Sequence, residues 1–193
     1  MRNEPIIQTD RLILRQWNDE DFESFAELNA DPRVMEFFPA TWTLEESKAS
    51  MQTARKHIEM YGWGKWAVSL LATGEFIGRI GLEEMDFQAP FSPNIELGYR
   101  IAYNYWGNGY ASEGAKGALE YGFKQIGLKE IVAFTPALNQ RSQFVMQRIG
   151  MHHDSKSDFD HPKLAEGHPL RRHVLYRIDY QSWQNSRDAK ESR

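Results

Sequence analysis

The segment 106–114 constrains the fold more than any other part of the sequence, because two glycines, Gly107 and Gly109, lie between a strand-like run and a helix-like run. Glycine lets the backbone N–H groups of such a turn approach a bound group closely, and the helix N-terminus behind the turn carries partial positive charge. The segment therefore predicts a site for an anion such as a pyrophosphate. An ordinary strand-to-helix loop can carry the same glycines and is the alternative.

Composition narrows the class of protein. The length of 193 residues fits one domain, and 41% hydrophobic with 26% charged residues is ordinary for a globular chain. A net charge of −4 does not favour nucleic acid or an acidic membrane as partner. The absence of cysteine excludes disulfides, zinc thiolates and a cysteine nucleophile. No run has the length of a signal peptide core or a membrane span, so we expect a soluble, cytoplasmic enzyme or binding domain.

Hydrophobic periodicity, caps and turn residues predict one α/β domain over residues 1–183, followed by a disordered polar tail over 184–193. The predicted strands cover residues 11–16, 65–71, 76–84, 94–101, 130–135, 151–158 and 173–179. The predicted helices cover 19–29, 43–61, 111–124 and 139–149, with a short helical turn after Asp31.

The order of these elements predicts a mixed sheet whose middle section is parallel and right-handed. The glycine turn then lies at the carboxyl end of a parallel strand, where open sheets bind their ligands.

Short motifs in a fixed order give the chain a family resemblance. It resembles the GNAT acetyltransferase superfamily and, more narrowly, its ribosomal-protein N-terminal (alanine/serine) acetyltransferase-like branch. The motifs are Thr-Asp-Arg-Leu-Ile-Leu-Arg at 9–15, Ile-Gly at 77–78, Glu-Leu-Gly-Tyr at 96–99, Trp-Gly-Asn-Gly-Tyr-Ala at 106–111, Asn-Gln-Arg-Ser at 139–142 and Ile-Gly-Met at 149–151.

This resemblance implies a single-domain GNAT-like fold with a mixed central sheet of about seven strands, splayed between strands 4 and 5 and flanked by helices. It also implies that acetyl-coenzyme A is the cosubstrate, without a metal, and that the acetyl group passes directly to a primary amine of a peptide N-terminus or a small molecule. A monomer and a homodimer are both open.

The resemblance also assigns binding residues. The superfamily's pyrophosphate pattern falls on Trp106 to Ala111, with Trp106 in place of the usual Arg or Gln. The residues implied to contact coenzyme A in this turn are Trp106, Gly107, Asn108, Gly109, Tyr110 and Ala111. Splaying of the preceding strand is expected to leave backbone groups near Ile101 unpaired for the pantetheine arm. Asn139 is expected both to cap a helix and to contact the coenzyme.

Two residues are implied to take part in catalysis. Ser142 matches the branch's thiol contact, since Met146 stands where many relatives have a tyrosine acid; a serine that only supports the helix start is the alternative. Glu96 is the candidate general base, acting through a water, and a strand-edge carboxylate in solvent or paired with Arg100 is the alternative. Glu83 and Glu84 are weaker candidates.

Other interpretations stay open beside the enzyme. A non-catalytic acyl-coenzyme-A-binding sensor or scaffold would share the glycine turn, and Met146 favours it. The histidines late in the chain are candidates for a metal site, but their spacing lacks the helical His-x-x-x-His pattern, so surface or capping histidines are expected. The aromatic stretch 37–42 and the loop 158–170 are candidate walls of an acceptor site, with core packing as the alternative for the aromatic stretch.

Overall fold

A computed structural model describes residues 5–89, 91–92 and 94–191. The chain divides into two compact units. The first comprises residues up to Glu83 together with Gly98–Ala118, and the second comprises Glu84–Leu97 together with residues from Leu119 onward.

The described residues form nine strands and five α-helices. The strands are β1 (Pro5–Gln8), β2 (Leu12–Arg15), β3 (Lys65–Leu70), β4 (Phe76–Glu84), β5 (Ile95–Ile101), β6 (Glu130–Pro136), β7 (His152–His153), β8 (Phe159–Asp160) and β9 (Arg172–Asp179). The helices are α1 (Asp21–Ala30), α2 (Leu44–Tyr61), α3 (Tyr110–Tyr121), α4 (Gln140–Arg148) and α5 (Tyr180–Glu191). A π-helical turn, Gly122–Ile126, extends α3. None of these helices is both long enough and apolar enough to cross a membrane.

The predicted mixed sheet flanked by helices is confirmed. In the first unit β1, β2, β3 and β4 follow one another as antiparallel neighbours. In the second unit the start of β5 pairs in parallel with β6, which pairs antiparallel with β9; β7 and β8 both pair with β9. This parallel ladder pairs Glu96 with Val132, and the predicted splay of β5 from β6 stays a prediction.

The strand count of about seven is too low. β1 pairs with β2 although its only apolar residues are Ile6 and Ile7, too few to show a periodic pattern. The strand predicted over 151–158 is replaced by β7 and a 3-10 turn at Ser155–Ser157. The Asp154 carboxylate causes the break, because it accepts hydrogen bonds at 2.7 Å from the Ser157 hydroxyl and from Arg177.

Helix ends in the first unit follow local capping chemistry. Thr43 and Glu46 form the predicted capping box of α2, and Gly62 ends this helix with a φ of +77°. The predicted helical turn after Asp31 is present as a single turn, in which the Asp31 carbonyl accepts from the backbone N–H groups of Val34 and Met35 at 3.1 and 3.0 Å. Val34 and Met35 of this turn are buried, whereas residues 38–41 are exposed and the chain stays irregular up to α2.

The C-terminal segment differs from the predicted disordered tail, because α5 continues to Glu191. Trp183 anchors it, since its side chain is buried and its ring lies 5.2 Å from that of Phe123. Arg187 adds an ion pair with Glu120 at 2.6 Å. Tyr180 and Trp183 among polar neighbours give too weak a periodic signal for sequence patterning to detect. Residues 192 and 193 of the predicted tail lie outside the described residues.

Candidate functional site

The glycine turn between β5 and α3 adopts a backbone conformation that favours glycine. Gly107 and Gly109 each have a φ of +79°, in the left-handed region. A Cβ placed on Gly107 would meet no atom within 4 Å, and one on Gly109 would meet only Arg11 Nη2, at 3.8 Å. The glycines therefore serve the turn's conformation and leave its outer face open.

Trp106 ties this turn to the end of β5. Its indole Nε1 donates a hydrogen bond of 2.7 Å to the carbonyl of Ile101, and the amide of Asn108 donates to the carbonyls of Tyr105 and Trp106 at 3.1 and 3.2 Å. The Ile101 carbonyl, expected to be unpaired, thus already has a donor. Trp106, which stands where the pyrophosphate pattern has Arg or Gln, thus connects the turn to β5 by a hydrogen bond.

The N-terminus of α3 lies directly behind the turn. Its first backbone hydrogen bond runs from Glu113 N to Gly109 O at 3.0 Å, so the N–H groups of Tyr110, Ala111 and Ser112 have no partner within the helix. Such groups carry the partial positive charge of the helix dipole. The turn and the helix start together can hold an anion through backbone donors.

The sequence motif at residues 9–15 stabilises the start of α3 through Glu113. Glu113 accepts hydrogen bonds from the Thr9 hydroxyl at 2.6 Å and from Arg11 N and Nε at 2.8 and 2.7 Å. Burial alone raises the pKa of Glu113, but these hydrogen bonds and the Arg11 charge outweigh it, and the pKa lies below its ordinary value. Arg11 also stacks over the Tyr110 ring at 4.7 Å and so holds a positive charge beside Gly109. Sequence reasoning used this motif for the resemblance but missed the position of Arg11.

The predicted site residues of the second unit lie on β5 and α4. Asn139 is the N-cap of α4, as predicted, and its carboxamide accepts from Ser142 N at 3.1 Å and donates to Thr135 Oγ1 on β6 at 2.9 Å. These bonds fix the first turn of α4, including Ser142, against β6. Glu96 is partly exposed and stands opposite Val132 where β5 and β6 pair.

The remaining candidate residues are engaged in core packing, in an ion pair or at a strand end. Met146 is buried in the core. Glu83 forms an ion pair with Lys65 in the first unit, and Glu84 ends β4. The predicted site residues thus form two groups. Ile101 and 106–111 belong to the first unit, and Glu96, Asn139 and Ser142 belong to the second.

Two of the late histidines pack against aromatic rings. The His161 and His173 rings lie 4.9 Å apart, and both contact Phe134 and Phe159. Burial lowers the pKa of His173 to about 4, so the ring is neutral at neutral pH. Among the residues that the structure describes, no three His, Asp or Glu side chains are grouped to hold a metal ion. That no metal is needed stays a prediction.

The chain resembles known acetyltransferases in sequence and in structure. A family model described as "Acetyltransferase (GNAT) domain" matches residues 11–152. The FsC-acetyl coenzyme A-N(2)-transacetylase of Aspergillus fumigatus is 30% identical over 194 residues, covering 95% of this chain and 80% of the fungal protein.

Solved structures give the same result for the fold. An acetyltransferase of the GNAT family from Bacillus anthracis superposes with a TM-score of 0.75 at 26% identity, over 91% of this chain and 98% of that one. The spermidine N-acetyltransferase of Vibrio cholerae, solved in complex with CoA and spermine, superposes with a TM-score of 0.70 at 19% identity, over 90% of this chain and 98% of that one.

The family model spans most of the chain, and the fungal relative extends the likeness over nearly all of it. The chain is therefore an acetyltransferase that belongs to the GNAT family.

Proposed function

We propose that this enzyme transfers the acetyl group of acetyl-coenzyme A directly to a primary amine, either a peptide N-terminus or a small amine. The observation that carries the proposal is the turn at Gly107 and Gly109, whose left-handed glycines leave its outer face open at the start of α3. The membership in the GNAT family supports the same cosubstrate.

In this proposal the coenzyme A pyrophosphate binds the backbone N–H groups of residues 107–111. The partial positive charge of the helix start and the guanidinium of Arg11 favour two phosphate charges here. Trp106 keeps the turn in place through the Ile101 carbonyl, which retains a second lone pair for a pantetheine amide. Asn139 contacts the coenzyme in addition to capping α4.

The chemistry requires a proton acceptor and a proton donor. The amine nitrogen attacks the thioester carbonyl carbon, a C–N bond forms, the C–S bond breaks, and the sulfur leaves as a thiolate that takes up a proton. Glu96, through a water, accepts the proton that the amine loses, and the Ser142 hydroxyl donates a hydrogen bond to the departing sulfur. Trp106 and Ser142 support the proposal that the chain resembles the ribosomal-protein N-terminal acetyltransferase branch within the family.

The glycine turn is tested by giving Gly109 a branched side chain. Because a φ of +79° is strained for valine, and because the side chain would stand where the pyrophosphate approaches, Gly109→Val should weaken coenzyme A binding at least about tenfold. Isothermal calorimetry measures this. Gly62→Val is the matched control, since Gly62 has a φ of +77° and ends α2 outside the turn. It should lower the melting temperature and leave the affinity unchanged; equal affinity in wild type and Gly109→Val contradicts the assignment.

The role of Ser142 is tested by removing its hydroxyl. A hydrogen bond to sulfur matters most when negative charge develops there, so Ser142→Ala should bind acetyl-coenzyme A within a few-fold of wild type and turn over at least about ten times more slowly. Calorimetry and steady-state thiol release measure the two quantities.

The control for this variant is Ser182→Ala. Ser182 follows Asp179 by three residues at the start of α5 and has its backbone N–H capped by that carboxylate at 2.8 Å, as Ser142 has with Asn139. Equal turnover in Ser142→Ala and wild type would remove Ser142 from the mechanism. Tight binding by the wild type without transfer to any amine would instead favour the sensor.

The role of Glu96 is tested by a pH–rate profile. If Glu96 organises the base, Glu96→Gln should lose most activity at low pH and recover at high pH, where the amine loses its proton unaided. The comparison uses kcat/KM for one amine between pH 6 and 10. A profile that is parallel to that of wild type would mean that Glu96 is a structural carboxylate.

A further inference from the structure

The first unit contains a buried positive charge outside the residues proposed to bind coenzyme A. Arg100, on β5, is 6% exposed, and Arg79, on β4, is 9% exposed. The guanidinium of Arg100 lies 4.1 Å from the ring centroid of Phe38 and 4.4 Å from that of Trp42. We call Arg79, Arg100, Phe38, Trp42 and Asn29 the cationic cluster.

Arg100 has only neutral direct partners. Its Nη1 donates to the carboxamide oxygen of Asn29 at 2.5 Å, and its Nε is buried without a hydrogen-bond partner. Within the described residues no carboxylate forms an ion pair with Arg100. Glu83, the acidic residue that acts on it electrostatically, is paired with Lys65.

This arrangement is electrostatically costly. Burial, and then the neighbouring charge of Arg79, hold the pKa of Arg100 well below its ordinary value, while Glu83 opposes them. Removing a charged group from water is costly, and a cation over an aromatic face recovers only part of that cost. The rings of Phe38 and Trp42 therefore offset the cost only in part, and an anion with two oxygens would complete the site.

The side chains that shield Arg100 from solvent lie in a partly exposed segment. Phe38 belongs to the segment 31–43 between α1 and α2, and residues 38–41 are exposed. Asn29 fixes the position of Trp42, since its backbone carbonyl accepts from Trp42 N at 3.0 Å. The Asn29 side chain in turn donates to Ser47 at 3.2 Å. Trp42 is thus anchored, and a displacement of the Phe38 ring would suffice to admit a ligand to the guanidinium.

We propose that the cationic cluster binds a carboxylate of the acceptor, so that the enzyme acetylates amines that carry a carboxylate group. The inference rests on the proposed amine acetyltransferase function and names the class of acceptor. A carboxylate matches the planar fork of Arg100, whose Nε and second Nη remain for two parallel hydrogen bonds. A polyamine, which is cationic, would be repelled by the same cluster.

The test compares acids with their uncharged amides as acceptors of wild type. One arm uses free amino acids with the carboxylate at increasing distance from the amine, each against its carboxamide. The other uses tripeptides with Asp or Glu against Asn or Gln at the second position, so that the arms distinguish a free amino acid from a peptide. Steady-state thiol release should give at least one acid with a KM about tenfold or more below that of its amide.

Substitutions at Arg100 test whether this residue causes the preference for the acid over its amide. Arg100→Gln should raise the KM of the preferred acid at least about tenfold and leave its amide within about threefold. Arg100→Lys, which keeps the charge but loses the fork, should lie between. Arg55→Gln is the control, since Arg55 is a partly exposed arginine paired with Asp19 and Glu59, and it should keep the preference. Melting temperatures and coenzyme A affinities report whether each variant is folded.

Three outcomes would overturn the inference. Acids and amides used equally in every wild-type pair would do so without any variant, even if Arg100→Gln fails to fold. An equal loss for acid and amide in folded Arg100→Gln would assign Arg100 a structural role. If wild type binds no coenzyme A and acetylates no amine, the proposed function fails. The carboxylates are then titrated by calorimetry, and binding that is absent or survives Arg100→Gln overturns the inference separately.

Discussion

The hydrogen bond from the Trp106 indole to the Ile101 carbonyl is the contact on which the proposed coenzyme A site depends. It joins the end of β5 to a turn whose two glycines have left-handed backbones. The start of α3 then follows the turn directly, braced from the side by Thr9 and Arg11 through Glu113. These contacts within the chain support the proposal that the turn binds an anion through its backbone.

The parts of the fold that local chemistry determines could be predicted from sequence. The capping box of α2 at Thr43, the Asn139 cap of α4 and the glycine turn all depend on residues within a few positions of one another. Features that depend on distant partners could not be predicted. β1 needs its ladder with β2, α5 needs Phe123 under Trp183, and the break after β7 needs Arg177 beside Asp154.

The same distinction holds for the candidate site. Sequence motifs predicted the glycine turn and the Asn139 cap, because both depend on residues a few positions apart. They could not show that Trp106 already supplies a donor to Ile101, or that Arg11 stands beside Gly109, since both depend on side-chain direction. Arg100 gave no signal as part of an acceptor site, because an arginine in a strand is ordinarily a solvent-facing residue. Its burial under Phe38 and Trp42 became apparent only in three dimensions.

We propose that the turn between β5 and α3 holds the coenzyme through its backbone. A crystal structure of the chain grown with coenzyme A is the decisive measurement. We expect pyrophosphate oxygens at about 3 Å from the backbone nitrogens of residues 107–111, with the Trp106–Ile101 hydrogen bond retained. A pyrophosphate bound elsewhere, with these nitrogens facing solvent, would contradict it.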